Sequence, residues 1–287
     1  MGEIMLYYGI LLAAVTMFSF QFLFNGIFEK EYGNGLRAMF VFSAGSSLVG
    51  FLILLIINGF KFEFTWFSLL MAFFAALDSI GYTYFSLKAL GRINLSLYSM
   101  FSMLGGMILP SVVGILFYNE ELTVGKGICY ALLMLSLLLS SKKGEKKSGY
   151  FYYMGVFVLN GMSGVLSTIF QNAPYEKTSA AGYSMLISLL ALVICLLFLP
   201  FVKGSTEKLT KKALVSMGGY GVLCRVGNYL LLIALAHLPA SAQYPFVTGG
   251  VMIISTIISL FTKNKPSKRE ITGVAISFAA LIILMFV

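Results

Sequence analysis

Apolar runs of about twenty residues recur along the chain, separated by short stretches rich in lysine, glycine and asparagine. Ten such runs lie at roughly Ile4–Phe24, Leu36–Ile57, Trp66–Ala89, Leu95–Phe117, Val124–Ser140, Phe151–Phe170, Ala180–Val202, Ala213–Ala236, Ser241–Phe261 and Glu270–Val287. A helix needs about 20 mostly apolar residues to cross the hydrocarbon core of a bilayer. Backbone groups in lipid must be satisfied within their own segment, so runs of this length predict helices. The alternating pattern of a membrane barrel strand is absent. The pattern therefore predicts an all-α polytopic membrane protein with ten transmembrane helices and no water-soluble domain.

Composition agrees with the pattern. The 287 residues are 59% hydrophobic and only 11% Asp, Glu, Lys or Arg, whereas soluble domains carry about 25% charged residues. The formal charge of +9 does not point to nucleic acid, because the basic residues cluster in short loops between apolar runs. Sixteen of the 20 Lys and Arg fall in loops 1–2, 3–4, 5–6, 7–8 and 9–10. The opposite loops hold three, Lys61, Lys126 and Lys177. The positive-inside rule puts the basic loops in the cytoplasm. The expected location is the plasma membrane, with both termini outside. Met1-Gly2-Glu3 precedes the first run without a basic n-region or a cleavage pattern, so a retained first helix is expected.

The same composition excludes several chemistries. Cys129, Cys195 and Cys224 each stand alone in an apolar run, which implies no disulfide framework. With His237 the single histidine, no zinc or iron set is formed, and neither a metal nor another cofactor is expected. No HExxH or GxSxG motif occurs, and an intramembrane enzyme would need a clustered acid/base or metal set. The phosphate-binding pattern Gly-x-x-x-x-Gly-Lys-Ser/Thr is also missing, so uphill transport would draw on an ion gradient, of protons or Na+. A channel would favour a continuous polar pore, and the polar residues here are scattered.

The basic stretch Lys142-Lys143-Gly144-Glu145-Lys146-Lys147 divides the chain nearly in half. It suggests a first repeat over 1–141, a connecting loop over 142–149 and a second repeat over 150–287. A displacement of 146 residues takes Gly9 to Gly155, Tyr98 to Tyr244, Ser102 to Thr248 and Gly127 to Gly273; one of 147 takes Asp78 to Arg225 and Tyr82 to Tyr229. Each half holds five runs. An odd number of spans forces the two halves into opposite orientations, so the reading is two inverted five-helix repeats. Transporters recurrently use this plan, with the site at mid-depth between the repeats.

Two charges define the candidate site. Asp78 lies midway along Trp66–Ala89 and Arg225 midway along Ala213–Ala236. An ionisable group at membrane depth costs roughly 2.5–3.5 kcal/mol even on insertion scales, and it survives where it faces a partner, a cavity or a ligand. Helical spacing puts Asp78, Gly81, Tyr82 and Phe85 on one face, and Arg225, Asn228, Tyr229 and Leu232 on another. The two charges suit either a direct ion pair joining the halves or a ligand that carries both signs. Gln21 and Asn25 share a face of the first run; Asn160, Ser163, Ser167 and Gln171 share a face of the sixth. Tyr98, Gln243 and Tyr244 open the fourth and ninth runs, and Pro110 and Pro245 mark expected irregularities there.

One local piece adds a resemblance. Phe117-Tyr118-Asn119-Glu120-Glu121-Leu122-Thr123, followed by Gly127, is similar to the acidic turn before a glycine-bearing fifth helix in the EamA-like branch of the drug/metabolite transporter superfamily. With ten short-looped runs in two halves, the whole chain resembles that branch. In the second half the turn reads Thr262-Lys263-Asn264-Lys265-Pro266-Ser267-Lys268-Arg269-Glu270, without the acidic pair. Gln21 stands in the first helix, which lacks the glutamate that small multidrug-resistance relatives use for proton exchange. Many members look cytoplasmic at both ends, the reverse of the orientation expected here. The resemblance implies transport of small organic solutes across the lipid bilayer and places the third and eighth helices beside a central cavity. The leading expectation is a secondary transporter of a small polar or zwitterionic, amino-acid-like metabolite, working by alternating access. The alternative is a carrier of an organic cation or other drug-like solute. The expected substrate-binding set is Asp78, Tyr82, Arg225, Asn228, Tyr229, Gln21, Asn25, Tyr98 and Tyr244, with no catalytic residue.

Overall fold

The computed structural model describes residues 2–92, 95–140, 150–203, 208–261 and 266–285. The basic connecting loop at 142–149 and the lysines at 263 and 265 lie outside the described residues. Every element among those described is helical. Ten α-helices follow one another: α1 Gly2–Tyr32, α2 Leu36–Ile57, α3 Trp66–Leu90, α4 Leu95–Phe117, α5 Val124–Ser140, α6 Tyr150–Asn172, α7 Ala180–Phe198, α8 Lys211–Leu235, α9 Ala240–Leu260 and α10 Lys268–Met285. A short 3-10 turn, Leu199–Phe201, follows α7.

Eight of the ten are long and apolar enough to cross a membrane; the apolar stretches of α5 and α10 are shorter. These two helices, of 17 and 18 residues, sit near the lower limit for a span. α1 runs two turns beyond its expected end at Phe24. The polar Asn25 does not break it, because its side chain is buried and donates to Ser86 Oγ on α3 at 2.6 Å. Side-chain caps fix three helix starts: Thr65, Ser179 and Thr210 accept from the backbone N–H three residues on, in α3, α7 and α8. Such caps are worth about 1 kcal/mol each.

Tertiary packing joins the first five helices to the last five. α1 lies along α8 and α9, α6 along α3 and α4, α2 against α7 and α8, α3 against α7, α4 against α9, and α5 against α10. Close approaches need glycine, as expected where packing rather than hydrophobicity drives helix association in lipid. A Cβ on Gly105 of α4 would meet the Phe157 carbonyl oxygen of α6 at 1.8 Å, and one on Gly221 of α8 would meet the Ser46 carbonyl oxygen of α2 at 2.4 Å.

The two ends of the bundle differ in chemistry. At the end carrying the basic loops, Glu31 pairs with Lys212 at 3.8 Å and Arg37 donates to the Val202 carbonyl at 3.2 Å. Lys88 there donates to Asn34 Oδ1 at 3.3 Å. At the opposite end Glu63 and Glu120 tie the connections of the first five helices to the starts of α7 and α9.

Candidate functional site

A cavity of ≈ 110 Å³ lies between α1, α3, α4, α6, α7, α8 and α9, and both Asp78 and Arg225 are on its wall. One ordered water needs about 10–15 Å³ by this measure, so the space holds a small solute. Arg225 is 9% exposed. Its Nη2 donates to Ser47 Oγ and Ser79 Oγ, each at a long 3.4 Å. Its stem passes Gly50 of α2, where a Cβ would sit 2.3 Å from Arg225 Cγ. Asp78 and Arg225 form no ion pair with each other. No hydrogen bond from any described residue reaches the Asp78 carboxylate. The cavity wall thus carries a carboxyl group and a guanidinium that do not pair with each other, an arrangement that ordinary stability does not favour.

Of the other residues expected at a site, Tyr82, Gln21, Asn228 and Tyr244 line the cavity. Tyr229, Asn25 and Tyr98 do not. The lining stripe on α8 runs through Tyr220, Cys224, Arg225, Asn228, Leu231 and Leu232. Successive residues turn by about 100°, so this stripe centres near Asn228 and carries Tyr229 off its edge. Asn25 and Tyr98 lie behind the wall in a chain of side-chain hydrogen bonds. Tyr82 OH bonds Tyr98 OH and Ser102 Oγ, each at 2.8 Å. Tyr98 OH also bonds Ser86 Oγ, which takes the Asn25 amide. The chain fills the basic-loop end of the cavity. From Tyr82 and Met103 the helices continue for eight residues to Leu90 and Leu95, about 12 Å of packed protein. At the other end Tyr183 and Ser184 in the first turn of α7 and Tyr244 early in α9 line the cavity.

Several wall residues carry little or no sequence signal. Ser79 on the wall and Ser47 behind it both accept from Arg225, and neither stands out in its apolar run. Tyr183 and Ser184 open a run that reads as plain membrane span. Tyr183 stacks on Phe170 of α6 with centroids 3.8 Å apart. Asn160, Ser163 and Ser167, noted as one polar face of α6, all line the cavity, and Gln171 does not. Both prolines lie within continuous helix. Pro245 cannot donate to the Ser241 carbonyl, which instead accepts from Tyr130 OH at 3.2 Å. Pro110 leaves the carbonyl of Gly106, a lining residue, without its helical donor.

The acidic turn has a structural partner that the sequence does not reveal. Glu120 accepts from the backbone N–H groups of Ala240 at 3.0 Å and Ser241 at 2.7 Å, at the start of α9. Asn119 reaches it through a left-handed backbone, φ 54°, which asparagine tolerates. Glu63 does the same for α7, accepting from Ser179 N at 2.6 Å and Ser179 Oγ at 2.8 Å. A carboxylate at a helix N-terminus compensates unpaired N–H groups and the helix dipole. Desolvation alone would raise the Glu63 pKa, but the bonds from Ser179 and Asn58 and the nearby Lys61 charge outweigh it and leave the pKa lowered. Lys177 donates to the carbonyls of Phe170, Gln171 and Ala173 at the end of α6, and burial lowers its pKa.

The fold and cavity define a helical multi-pass membrane protein with an internal chamber between its helices. Residues 147–286, covering α6 to α10, match the model of the EamA-like transporter family. That family is part of the drug/metabolite transporter superfamily, and the match makes the second half of the chain similar to membrane transporters of small solutes. A solved structure titled only as a crystal structure of a protein is 12% identical and superposes with a TM-score of 0.70, covering 96% of this chain and 95% of that one. At that identity the likeness concerns the fold alone. No curated protein matches the sequence.

Proposed function

We propose that the protein is a secondary transporter of a small polar or zwitterionic, amino-acid-like metabolite, working by alternating access around the cavity between α3 and α8. One observation carries the reading: Asp78 and Arg225 share a cavity wall without pairing. A guanidinium takes a carboxylate through two parallel N–H donors, and Asp78 takes an ammonium. A solute bearing both groups neutralises both charges at once. The coupling ion would be a proton or Na+.

Two inverted five-helix repeats, 1–141 and 150–287 joined by 142–149, are the architecture we infer. The helix packing supports it: exchanging each helix number n with n+5 turns α1–α8 into α6–α3, α4–α6 into α9–α1 and α2–α8 into α7–α3, all of them observed contacts. α2–α7, α4–α9 and α5–α10 map onto themselves, as pairs beside a two-fold axis would. On this plan α5 and α10 span together at the periphery. The basic loops would face the cytoplasm of a plasma-membrane protein, with both termini outside.

A second reading is transport of an organic cation or other drug-like solute. Four lining tyrosines, Tyr82, Tyr183, Tyr220 and Tyr244, favour it, since aromatic faces attract cations. Uptake by proteoliposomes separates the two. Arg225→Gln should remove transport of α-amino acids while Asp78→Asn removes both amino acids and amines. Retention of amino-acid flux by both variants would end the zwitterion reading, and wild-type flux of amines above that of amino acids, unchanged by Arg225→Gln, would favour the second.

A further inference from the structure

We infer that Ser47 and Ser79, with Gly50 giving the stem room, are positioning residues that hold the Arg225 guanidinium off Asp78 and keep the empty cavity from closing on itself. The inference rests on the zwitterion reading above and adds what keeps both of its groups available to a solute.

Ser79 directly follows Asp78 in α3, their Cα atoms about 3.8 Å apart. Its Oγ accepts from Arg225 Nη2 at 3.4 Å. The guanidinium is thus held within one residue of the carboxyl group, yet the two do not pair. A guanidinium gains more from a carboxylate than from a neutral hydroxyl, so the pair stays apart only if the arginine is restrained.

α2 supplies the restraint. The Arg225 stem crosses Gly50, where an added Cβ would sit 2.3 Å from Arg225 Cγ and 3.2 Å from its Cβ. Ser47 lies three residues earlier on the same face of α2 and is 1% exposed. Its Oγ accepts from the same Nη2, again at 3.4 Å. One turn before Arg225, Gly221 brings α8 against α2, where a Cβ would meet the Ser46 carbonyl oxygen at 2.4 Å. Two helices in backbone contact make a stiff platform. The arginine leaves that platform with its stem in a groove and one nitrogen already placed.

The two serine contacts are long for N–H···O and fall on a single nitrogen, so Nη1 and Nε make no hydrogen bond to a described residue. A neutral contact of this kind restrains the cation without competing for it. A solute carboxylate then forms charge-assisted bonds where the serines offer only weak ones. A direct pair with Asp78 would instead have to be broken by every solute. If the empty site were paired about nine-tenths of the time, apparent affinity would fall about 10-fold.

The test compares four full-length proteins in lipid: wild type, Ser47→Ala with Ser79→Ala, Arg225→Gln, and all three changes together. The probes are L-leucine and 3-methylbutylamine, and binding is read by calorimetry. In the serine double variant the released guanidinium pairs with Asp78, so both probes should bind about 10-fold or more weakly than to wild type. The amine is the informative probe, because it brings no carboxylate for Arg225 to hold. Adding Arg225→Gln to the double variant should restore amine binding to the level of Arg225→Gln alone, since no cation is left to occupy Asp78. Serines that merely shaped the cavity, or touched the solute themselves, would give a loss that this change does not repair. The double variant should also melt above wild type, and the gain should vanish when the same two changes are made in Asp78→Asn.

Amine binding that the serine changes leave intact, or that Arg225→Gln fails to restore, overturns this inference and leaves the zwitterion reading standing. Wild type binding L-leucine no more tightly than the amine overturns the zwitterion reading, while restoration of the amine still upholds the restraint. If wild type binds neither probe, the zwitterion reading falls and the melting temperatures decide: a gain that depends on Asp78 upholds the restraint, and no such gain overturns it.

Discussion

The first and second halves of the chain offer equivalent residues to one cavity and use them differently. Tyr82 and Tyr98 of the first half, with Ser86, Ser102 and Asn25, form a connected hydroxyl chain at the basic-loop end. Their counterparts 146 or 147 positions on do not. Tyr229 is off the cavity wall, Tyr244 bonds the Gly164 carbonyl and Thr248 bonds the Met103 carbonyl. At the other end carboxylates hold helix starts, Glu63 that of α7 and Glu120 that of α9. Residues at matching displacements therefore do different work, and neighbours decide what each does. One consequence is geometric: the cavity is sealed by polar side chains towards the basic loops and reaches nearly to the helix ends on the other side.

The comparison can be broken most severely where the halves touch. Gly105→Ala drives a Cβ onto the Phe157 backbone, which cannot yield as a side chain would. It should destabilise the protein by about 3 kcal/mol or prevent folding. Gly218→Ala on α8 meets nothing within 4 Å and should be neutral or stabilising by up to about 1 kcal/mol. Denaturation in detergent distinguishes them, and equal losses would discredit the packing. Next in size is the charge pair. Arg225→Gln should lower uptake of a zwitterionic solute by on the order of 100-fold, as for a lost charged hydrogen-bonding partner. Melting temperature should fall little or rise, since an unpaired membrane charge is itself a burden.

The tyrosines test the asymmetry directly. Tyr98→Phe removes a hydroxyl that Tyr82 and Ser86 both use in a dry setting, and should destabilise the protein by about 1–3 kcal/mol. Tyr244→Phe frees a carbonyl beside the cavity, where water can replace the lost donor, and should cost under about 1 kcal/mol. Equal effects in thermal unfolding would mean that the two ends are built alike. The smallest effect concerns pH. Because the Glu63 pKa is lowered in the folded protein, its contribution is present above the ordinary glutamate value and is lost as pH falls through the folded one. Glu63→Gln should therefore narrow the gap to wild type as the medium is acidified below that ordinary value. A gap that widens on acidification would refute the assignment.

Much of the fold was legible in the residues. The runs at Leu36–Ile57, Leu95–Phe117 and Val124–Ser140 end where the helices end, because in lipid length and apolarity alone fix a span. α1 shows the limit: its apolar run ends near Phe24, yet the helix continues to Tyr32 past Asn25, whose amide bonds a partner 61 positions away. The charges were equally legible, since Asp78 and Arg225 stand out against apolar surroundings. Tyr229 was not, because helical periodicity gives a face but not its centre, and one position from the centre of the α8 stripe already lies off the wall. Tyr183 and Ser184 carried no signal at all in a run that reads as ordinary membrane span.

The sequence by itself determined that the chain is a bundle of membrane helices with opposite charges at mid-depth, because the free energy of placing each residue in lipid is nearly independent of its distant neighbours. Only the tertiary structure decided that Asp78 and Arg225 stand apart, that Glu120 caps α9, and that Asn160, Tyr244 and Thr248 donate to carbonyls of other helices. Those are contacts between residues tens to hundreds of positions apart, set by which helices pack together and where glycines let them meet, and no local pattern encodes that.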